Sequence, residues 1–171
     1  MAQNKTSKII YPIIFVLALI IDRATKQLAM SMLVGKDAVN VIGEVFQFVY
    51  TENAGAAFGI MQNQRIIFYI ITALVVALIV YFVVKMPTDS HYTPLGVVLS
   101  FVLAGAIGNL IDRVIHHFVV DFIYFSPIDF PVFNVADIYV TLGCIAFVIL
   151  VIFVYKDHDF DFLDPRKKHE S

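Results

Sequence analysis

Residues 66–84 read IIFYIITALVVALIVYFVV, a run of 19 positions without a charged side chain. An α-helix rises about 1.5 Å per residue, so this run would cross roughly 30 Å, the thickness of the hydrocarbon core of a bilayer. Three more apolar runs lie at 9–33, 95–113 and 135–155. Helices of soluble proteins carry a polar stripe, and these runs do not, which argues against a soluble helical bundle. The sequence therefore predicts an all-α integral membrane protein built on a bundle of four transmembrane helices.

The composition favours a single membrane domain across all 171 residues, of which 60% are hydrophobic and 15% charged. No basic stripe with interleaved aromatic residues is present, so nucleic acid is not an expected partner. Lys5 and Lys8, which precede the first run, resemble the start of a signal peptide. Charged residues at 22, 23 and 26 interrupt the path to a cleavage site. We therefore interpret the first run as an uncleaved span.

The distribution of Lys and Arg predicts the orientation in the membrane. The two ends of the chain and the turn after residue 84 hold seven of the 12 basic residues, and the opposite side holds five. Because basic residues favour the cytoplasmic side, both termini are expected there, with 156–171 as a solvated tail. The segments 35–65 and 116–133 then lie on the outer side, together with Asp121 and Asp137.

The two outer segments differ in character. In the first, residues 45–50 read VFQFVY, a β-branched and aromatic pattern that is typical of a strand. Asn53 and Gly55 then favour a turn. This pattern indicates either an ordinary hairpin turn or a small sheet that presents backbone groups to an extended peptide. The second segment, 116–133, is rich in Phe and Tyr, which favours a position along the membrane interface.

Polar residues within the apolar runs also need an explanation. Asp22 and Lys26 stand four residues apart, a spacing that pairs them on a helix. A buried ion pair explains these two charges better than direct catalysis does. Asn109, Asp112 and Arg113 share one face at the end of the third run. That face either carries an interfacial charge pair or forms the polar wall of a site, where Arg113 would hold a carboxylate or a carbonyl.

Two acidic residues near the fourth run are the best candidates for chemistry. Asn134 is a favourable N-cap, which puts Asp137 in the first helical turn, where the helix dipole favours a negative charge. Asp121 is flanked by Val, Phe and Ile, where loss of solvation favours the protonated acid. Capping alone would explain Asp137. A carboxylate beside a carboxylic acid would instead suit acid–base chemistry on a peptide bond.

Other functions have less support. His116, His117 and Asp121 offer possible metal ligands, but their spacing fits no zinc motif, so we expect neither a metal nor another cofactor. A proton-coupled carrier would also hold charges within the membrane. The carrier is the weaker alternative, because the chain has four spans without an inverted repeat and its polar groups lie at one end of the spans. A structural assembly factor is a third class, and it predicts that single carboxamide substitutions leave function intact.

Five motifs along the four runs together resemble one family. They are DRATK at 22–26, ENAGAAFG at 52–59, GAIGNLIDR at 105–113, VVDFI at 119–123 and FNVAD at 133–137. In this order they closely resemble the bacterial lipoprotein signal peptidases (signal peptidase II). The resemblance implies an intramembrane aspartyl endopeptidase of the bacterial inner membrane. Such an enzyme cleaves diacylglyceryl-modified prolipoproteins just before the lipidated cysteine, and a small extracytoplasmic β-sheet cradle holds the substrate.

The resemblance also assigns roles to residues of this chain. On the family pattern, Asp121 and Asp137 are the catalytic pair. The positions that line the site, and hold substrate, inhibitor or the catalytic pair, match Asn53, Gly55, Asn109, Arg113 and Asn134. Asp22, Lys26 and Asp112 are expected to be structural. The expected partners are prolipoprotein signal peptides, membrane lipid and globomycin-like inhibitors, and the protein is expected to act as a monomer.

Overall fold

The computed structural model describes residues 5–55 and 65–164. Within these ranges the chain forms four long helices, α1 (Lys5–Leu33), α2 (Arg65–Lys85), α3 (Thr93–Ile115) and α4 (Val135–Phe153). Each begins and ends within a few residues of a predicted apolar run. The helices therefore follow the hydrophobic pattern closely.

In the described part of the chain, three segments are long and apolar enough to cross a membrane, namely Ile66–Lys85, Ser90–Ile115 and Val135–Phe153. Helix α1 has 29 residues. At about 1.5 Å per residue it is roughly 43 Å long, which exceeds the hydrocarbon thickness. Asp22, Arg23 and Lys26 lower its hydropathy. The protein is thus a helical membrane protein, and a crossing by α1 stays a prediction.

Helix α3 is the centre of the bundle and packs against α1, α2 and α4. Two glycines of α3 allow this close approach. A Cβ at Gly105 would overlap the carbonyl oxygen of Ala136 in α4, and a Cβ at Gly108 would overlap the carboxylate of Asp22 in α1. The absence of side chains at these positions therefore lets α1 and the start of α4 reach α3 together.

A four-stranded antiparallel sheet caps one end of the bundle, which we call the sheet end. Its strands are β1 (Val39–Ile42), β2 (Phe46–Asn53), β3 (Val119–Phe125) and β4 (Phe130–Phe133), in the spatial order β1-β2-β3-β4. Strand β2 confirms the strand predicted at 45–50. The segment 116–133, for which the sequence indicated only an interfacial position, in fact contains two strands. Five consecutive buried residues at the start of β3 hide the alternation by which a strand is usually recognised.

The sheet docks on α1 through an apolar cluster. Ala29 and Leu33 of α1 form one buried cluster with Val120, Phe122 and Ile123 of β3. Asp121 lies between these strand residues and is itself 1% exposed. The sheet thus carries a buried acidic residue to the ends of the helices.

The expectation of a solvated tail at 156–171 is wrong for its first half. A 3₁₀ segment, Asp157–Leu163, follows α4 and folds onto the opposite end of the bundle. Phe162 packs edge-on against Phe82 of α2, with ring centroids 5.3 Å apart. Tyr92 Oη donates to the carbonyl oxygen of Asp159 at 2.8 Å. Phenylalanines that alternate with aspartates give this segment an apolar side. Residues 165–171 lie outside the described part of the chain.

Candidate active site

A cavity of about 640 Å³ opens at the sheet end and holds both candidate acids. Asp121 extends from β3 and is 1% exposed, whereas Asp137 lies in the first turn of α4 and is half-buried. The cavity is lined by Asn53, Gly55, Phe68, Asn109, Arg113, Val119, Asp121, Phe130, Pro131, Val132, Phe133, Asp137, Ile138, Thr141 and Leu142. Residues far apart in sequence therefore meet around the two carboxyl groups.

Asp121 accepts hydrogen bonds on both of its oxygens. Asn53 Nδ2 donates to Oδ2 at 2.9 Å, and Asn134 Nδ2 donates to Oδ1 at 2.6 Å. Burial, and next the charge of Asp137, raise the pKa of Asp121 to about 7, although both amides favour the ionised form. The direction agrees with the prediction that this carboxyl resists ionisation. At neutral pH it is therefore available both as an acid and as a base.

Asp137 is fixed by its own helix. Asn134 Oδ1 accepts from the backbone N–H of Asp137 at 3.1 Å, and Asp137 Oδ2 accepts from the backbone N–H of Asn134 at 3.1 Å. These two bonds form a capping box, with Asn134 as the N-cap that the sequence predicted. The other oxygen, Oδ1, accepts from Asn109 Nδ2 at 2.8 Å. Asp137 thus has a capping role and also faces the cavity, so capping does not account for all of its contacts.

Two carboxamides connect the acids. Asn134 Nδ2 donates to Asp121 at 2.6 Å and also to Asn109 Oδ1 at 3.3 Å, while Asn109 donates to Asp137 at 2.8 Å. The side chains of Asn134 and Asn109 therefore form a continuous path from one carboxyl group to the other. Both had been predicted to support the pair.

Arg113 holds backbone carbonyl groups, one of the two roles that its guanidinium fork suggested. It donates to the carbonyl oxygen of Gly55 and to that of Asn109, each at 3.3 Å. The guanidinium also lies 4.5 Å from the centre of the Phe68 ring, a cation–π contact. Tyr69 Oη donates to the carbonyl oxygen of Arg113 at 2.9 Å. Phe68 and Tyr69 could not be recognised as site residues from the sequence, because both stand within the apolar run of α2.

Gly55 lies where its backbone can face the cavity. Its N–H donates to Asn53 Oδ1 at 3.0 Å, which closes a short turn immediately after β2. The rest of the motif, residues 56–59, lies outside the described residues. Strand β1 covers β2 only at 46–48. Among the described residues, no strand pairs with that edge of β2 at 49–53.

The predicted ion pair between Asp22 and Lys26 is present and fully buried, with Nζ 3.1 Å from Asp22 Oδ2. It belongs to a larger cluster, since Lys26 Nζ is also 3.0 Å from Asp112 Oδ2, and Arg23 pairs with Asp112 Oδ1. None of these four residues lines the cavity. They form a polar layer beneath it.

Sequence reasoning missed the apolar wall of the cavity. One side comes from β4, from Phe130 to Phe133, and another from α4, at Ile138, Thr141 and Leu142. Hydrophobic residues in a membrane protein give no signal that separates a cavity wall from a lipid-facing surface. His116 and His117 do not line the cavity. Across residues 5–55 and 65–164, no group of three or more His, Cys, Asp or Glu side chains has the geometry to hold a metal ion.

Asp121, which is buried, and Asp137, which is half-buried, therefore share one carboxamide frame at the ends of the helices. Residues 14–153 match the family model described as signal peptidase (SPase) II. The chain belongs to the signal peptidase II family, and it is therefore a peptidase.

Relatives and solved structures agree with this assignment. The chain is 42% identical to the lipoprotein signal peptidase of Clostridium tetani, over 87% of this chain and 94% of that protein. It is 42% identical to the one from Caldanaerobacter subterraneus subsp. tengcongensis, over 82% and 94%. Two bacterial membrane enzymes solved by the in meso method are similar in fold. One, at 2.3 Å resolution, has a TM-score of 0.76 at 34% identity and covers 83% of this chain and 87% of its own. The other, at 1.9 Å, has a TM-score of 0.72 at 33% identity and covers 85% and 94%.

Proposed function

We propose that this peptidase removes signal peptides from diacylglyceryl-modified prolipoproteins, with Asp121 and Asp137 as its catalytic pair. The bond that is cut lies just before the lipidated cysteine. One observation carries the proposal: the two carboxyl groups line the same cavity and are joined through Asn134 and Asn109. Amide and backbone N–H donors hold both carboxyl groups at the cavity, where a substrate would reach them together.

The mechanism needs one ionised and one protonated acid. The carboxylate takes a proton from a water molecule, which attacks the scissile carbonyl carbon. The protonated acid donates its proton to the carbonyl oxygen, and a tetrahedral diol forms. The diol then collapses as the amide nitrogen takes a proton and leaves. The raised pKa of Asp121, about 7, supports this residue as the acid. The helix N-terminus supports a negative charge on Asp137, and thus its role as the base.

The amide side chains suit the charge that develops during the reaction. The amides of Asn53 and Asn134 stabilise the conjugate base that Asp121 becomes after it has donated its proton. Asn109 holds Asp137 in position for the water molecule. Arg113 fixes the Gly55 carbonyl, which keeps the turn after β2 in place beside the substrate. The edge of β2 at 49–53, which pairs with none of the described strands, is where an extended peptide would add as a strand, and this supports a cradle function for the sheet.

The apolar wall suits a lipid-modified substrate. Phe130, Phe133, Ile138 and Leu142 line the cavity, and their side chains offer a surface for acyl chains or for apolar signal-peptide residues. The same cavity is the expected binding site for globomycin-like inhibitors. We place the chain as a four-span monomer in the bacterial cytoplasmic membrane, with both termini in the cytoplasm and the sheet end at the outer face. The count of basic residues, seven to five, supports this orientation.

The experiment compares the parent with Asp121→Asn and Asp137→Asn in detergent micelles, with a synthetic lipidated prolipoprotein peptide as the substrate. Each substitution should lower kcat by at least about 10³-fold, because a carboxamide can neither accept nor donate the catalytic proton. Glu44→Gln, at an exposed carboxylate in the turn between β1 and β2 that does not line the cavity, is the control and should cleave at the parent rate. Parent-like cleavage by either aspartate variant would refute the assignment. Activity that is lost with a chelator and restored by zinc would favour a metal mechanism instead.

A further inference from the structure

The residue that precedes Asp121 is held by a buried carboxylate that lies outside the cavity. The backbone N–H of Val120 donates to Asp112 Oδ2 at 3.2 Å. Asp112 and Val120 are both 0% exposed. The other oxygen, Asp112 Oδ1, pairs with Arg23. One carboxylate of α3 therefore ties β3 to the bundle at the position next to the candidate acid.

The residue that precedes Asp137 is held in the same way. The backbone N–H of Ala136 donates to Asp22 Oδ1 at 3.1 Å, and both residues are 0% exposed. This N–H is one of the free donors of the first helical turn, which the Asn134 side chain does not satisfy. Gly108 leaves the space that the Asp22 carboxylate occupies. A carboxylate of α1 thus ties down the start of α4.

Lys26 joins the two carboxylates. Its Nζ lies 3.1 Å from Asp22 Oδ2 and 3.0 Å from Asp112 Oδ2, and it donates to Asn109 Oδ1 at 2.8 Å. The ammonium group thus donates to the Asn109 amide oxygen and forms an ion pair with each of the two carboxylates. With Arg23 included, two positive charges meet two negative charges. The cluster is therefore electrically balanced, and Lys26 also contacts the amide that holds Asp137.

We infer that Asp22, Lys26 and Asp112 form a positioning bridge that sets the separation between the two catalytic carboxyl groups. The bridge acts through backbone N–H groups, each one residue before a catalytic aspartate, rather than through contact with the substrate. This inference rests on the proposed catalytic pair. It goes beyond a general structural role, because it predicts a loss in the chemical step that exceeds the loss of folded protein. Reacting groups misplaced by about 1 Å lose on the order of 10²-fold in rate.

The experiment uses two substitutions at each end of the bridge. The substitutions to Asn, Asp112→Asn and Asp22→Asn, keep a side-chain oxygen that can accept the backbone N–H. The substitutions to Leu, Asp112→Leu and Asp22→Leu, remove this oxygen but keep a side chain of similar size. Cleavage of the lipidated peptide is measured per folded molecule, with the folded fraction taken from a thermal unfolding curve. The Leu variants should lose about 10²-fold in kcat with KM within about twofold, since neither residue lines the cavity. The Asn variants should stay within about tenfold of the parent kcat.

The matched control is Ser100→Ala, which removes a buried hydrogen bond of α3, from Ser100 Oγ to the Gly96 carbonyl at 2.7 Å, away from the cavity. It should keep the parent kcat. Equal kcat losses for Asn and Leu at each position, a loss confined to KM, or a loss that follows only the folded fraction would overturn the bridge. Asp121→Asn and Asp137→Asn are measured in the same series. If Asp121→Asn or Asp137→Asn is active, the catalytic pair is overturned. If both are inactive but Asp112→Leu and Asp22→Leu cleave like the parent, only the bridge is overturned.

Discussion

The pH dependence of cleavage tests the electrostatics of the site most directly. The pKa of Asp121 is raised to about 7, first by burial and then by the charge of Asp137. If protonated Asp121 supplies the catalytic proton, the rate falls above pH 7 by about tenfold per pH unit. Asn53 opposes the shift, because its amide donates to Asp121 Oδ2 at 2.9 Å and stabilises the ionised form. Removal of this amide must therefore raise the pKa further.

The perturbation is Asn53→Ala, and its size follows from the lost hydrogen bond. A hydrogen bond to a charged group contributes about 1.5–3 kcal/mol, and one pKa unit corresponds to about 1.4 kcal/mol. The alkaline limb of the rate profile should therefore move upward by about one to two pH units. At pH 8, about a tenth of parent Asp121 is protonated, against half or more in the variant. Relative to its own maximum, the variant should then be about five- to tenfold more active at that pH.

The assay follows initial rates of cleavage of the lipidated peptide from pH 5 to 9, each profile normalised to its maximum. Normalisation separates the shift of the limb from any loss of substrate contact, because Asn53 also lines the cavity. Glu52→Gln controls for a change on the same strand that makes no hydrogen bond to Asp121. An alkaline limb that stays in place, or that moves to lower pH, would show that Asp121 is not the acid. Removal of the negative charge of Glu52 can only lower the pKa of Asp121. An equal upward shift in Glu52→Gln would therefore assign the effect to a general change at β2 rather than to the lost hydrogen bond.

Three further predictions concern stability. The pKa of Asp121 is raised from 3.8 to about 7 in the folded protein, so the stability that Asp121 contributes is full below pH 4 and is lost as the pH rises through 7. The thermal midpoint should therefore fall more steeply over this pH range in the parent than in Asp121→Asn, and equal slopes would contradict the pKa shift. Gly108→Ala should destabilise the fold by about 1–3 kcal/mol and also lower kcat, since the new Cβ would displace Asp22. Gly96→Ala is the matched control: its Cβ would overlap the Tyr11 ring away from the cavity, so it should lower the thermal midpoint alone, and a loss of kcat there would count against the reasoning. Phe162→Ala should destabilise the fold by about 1–2 kcal/mol, because its ring packs on Phe82, whereas Phe153→Ala, at a ring 79% exposed, should have no comparable effect in detergent.

Features set by local sequence were predictable from the chain alone. The helices follow the apolar runs, because hydrophobic length determines a membrane helix without reference to its neighbours. The Asp22–Lys26 pair follows from helical spacing, and the capping box of Asn134 and Asp137 follows from its position before an apolar run. Each depends on residues no more than four positions apart. Rules of helix geometry and capping therefore determine them.

Features that depend on distant pairing were not predictable in this way. Strands β3 and β4 form because β3 pairs with β2, about 70 residues earlier in the chain. The contact of Phe68 and Tyr69 with Arg113 likewise depends on how α2 packs against α3. The aspartates of 157–163 suggested a solvated tail, yet Phe160 and Phe162 pack against the bundle. The apolar residues of a membrane protein do not indicate, from the sequence alone, which residues they will pack against.

The same distinction separates the two catalytic candidates. Asp137 is oriented by a capping box within its own helix, by the amide of Asn109, and by Asp22, which accepts the backbone N–H of the preceding Ala136. Asp121 receives its orientation from other elements: Asn53 of β2, Asn134 before α4, and Asp112 through Val120. Its strand must first dock on α1. Substitutions remote from the cavity can therefore reach either acid, but Asp121 has no capping box of its own to hold it in place. This dependence explains why a charged cluster is buried beneath the sheet, where an apolar contact would hold β3 in place but would not fix the direction of one N–H group.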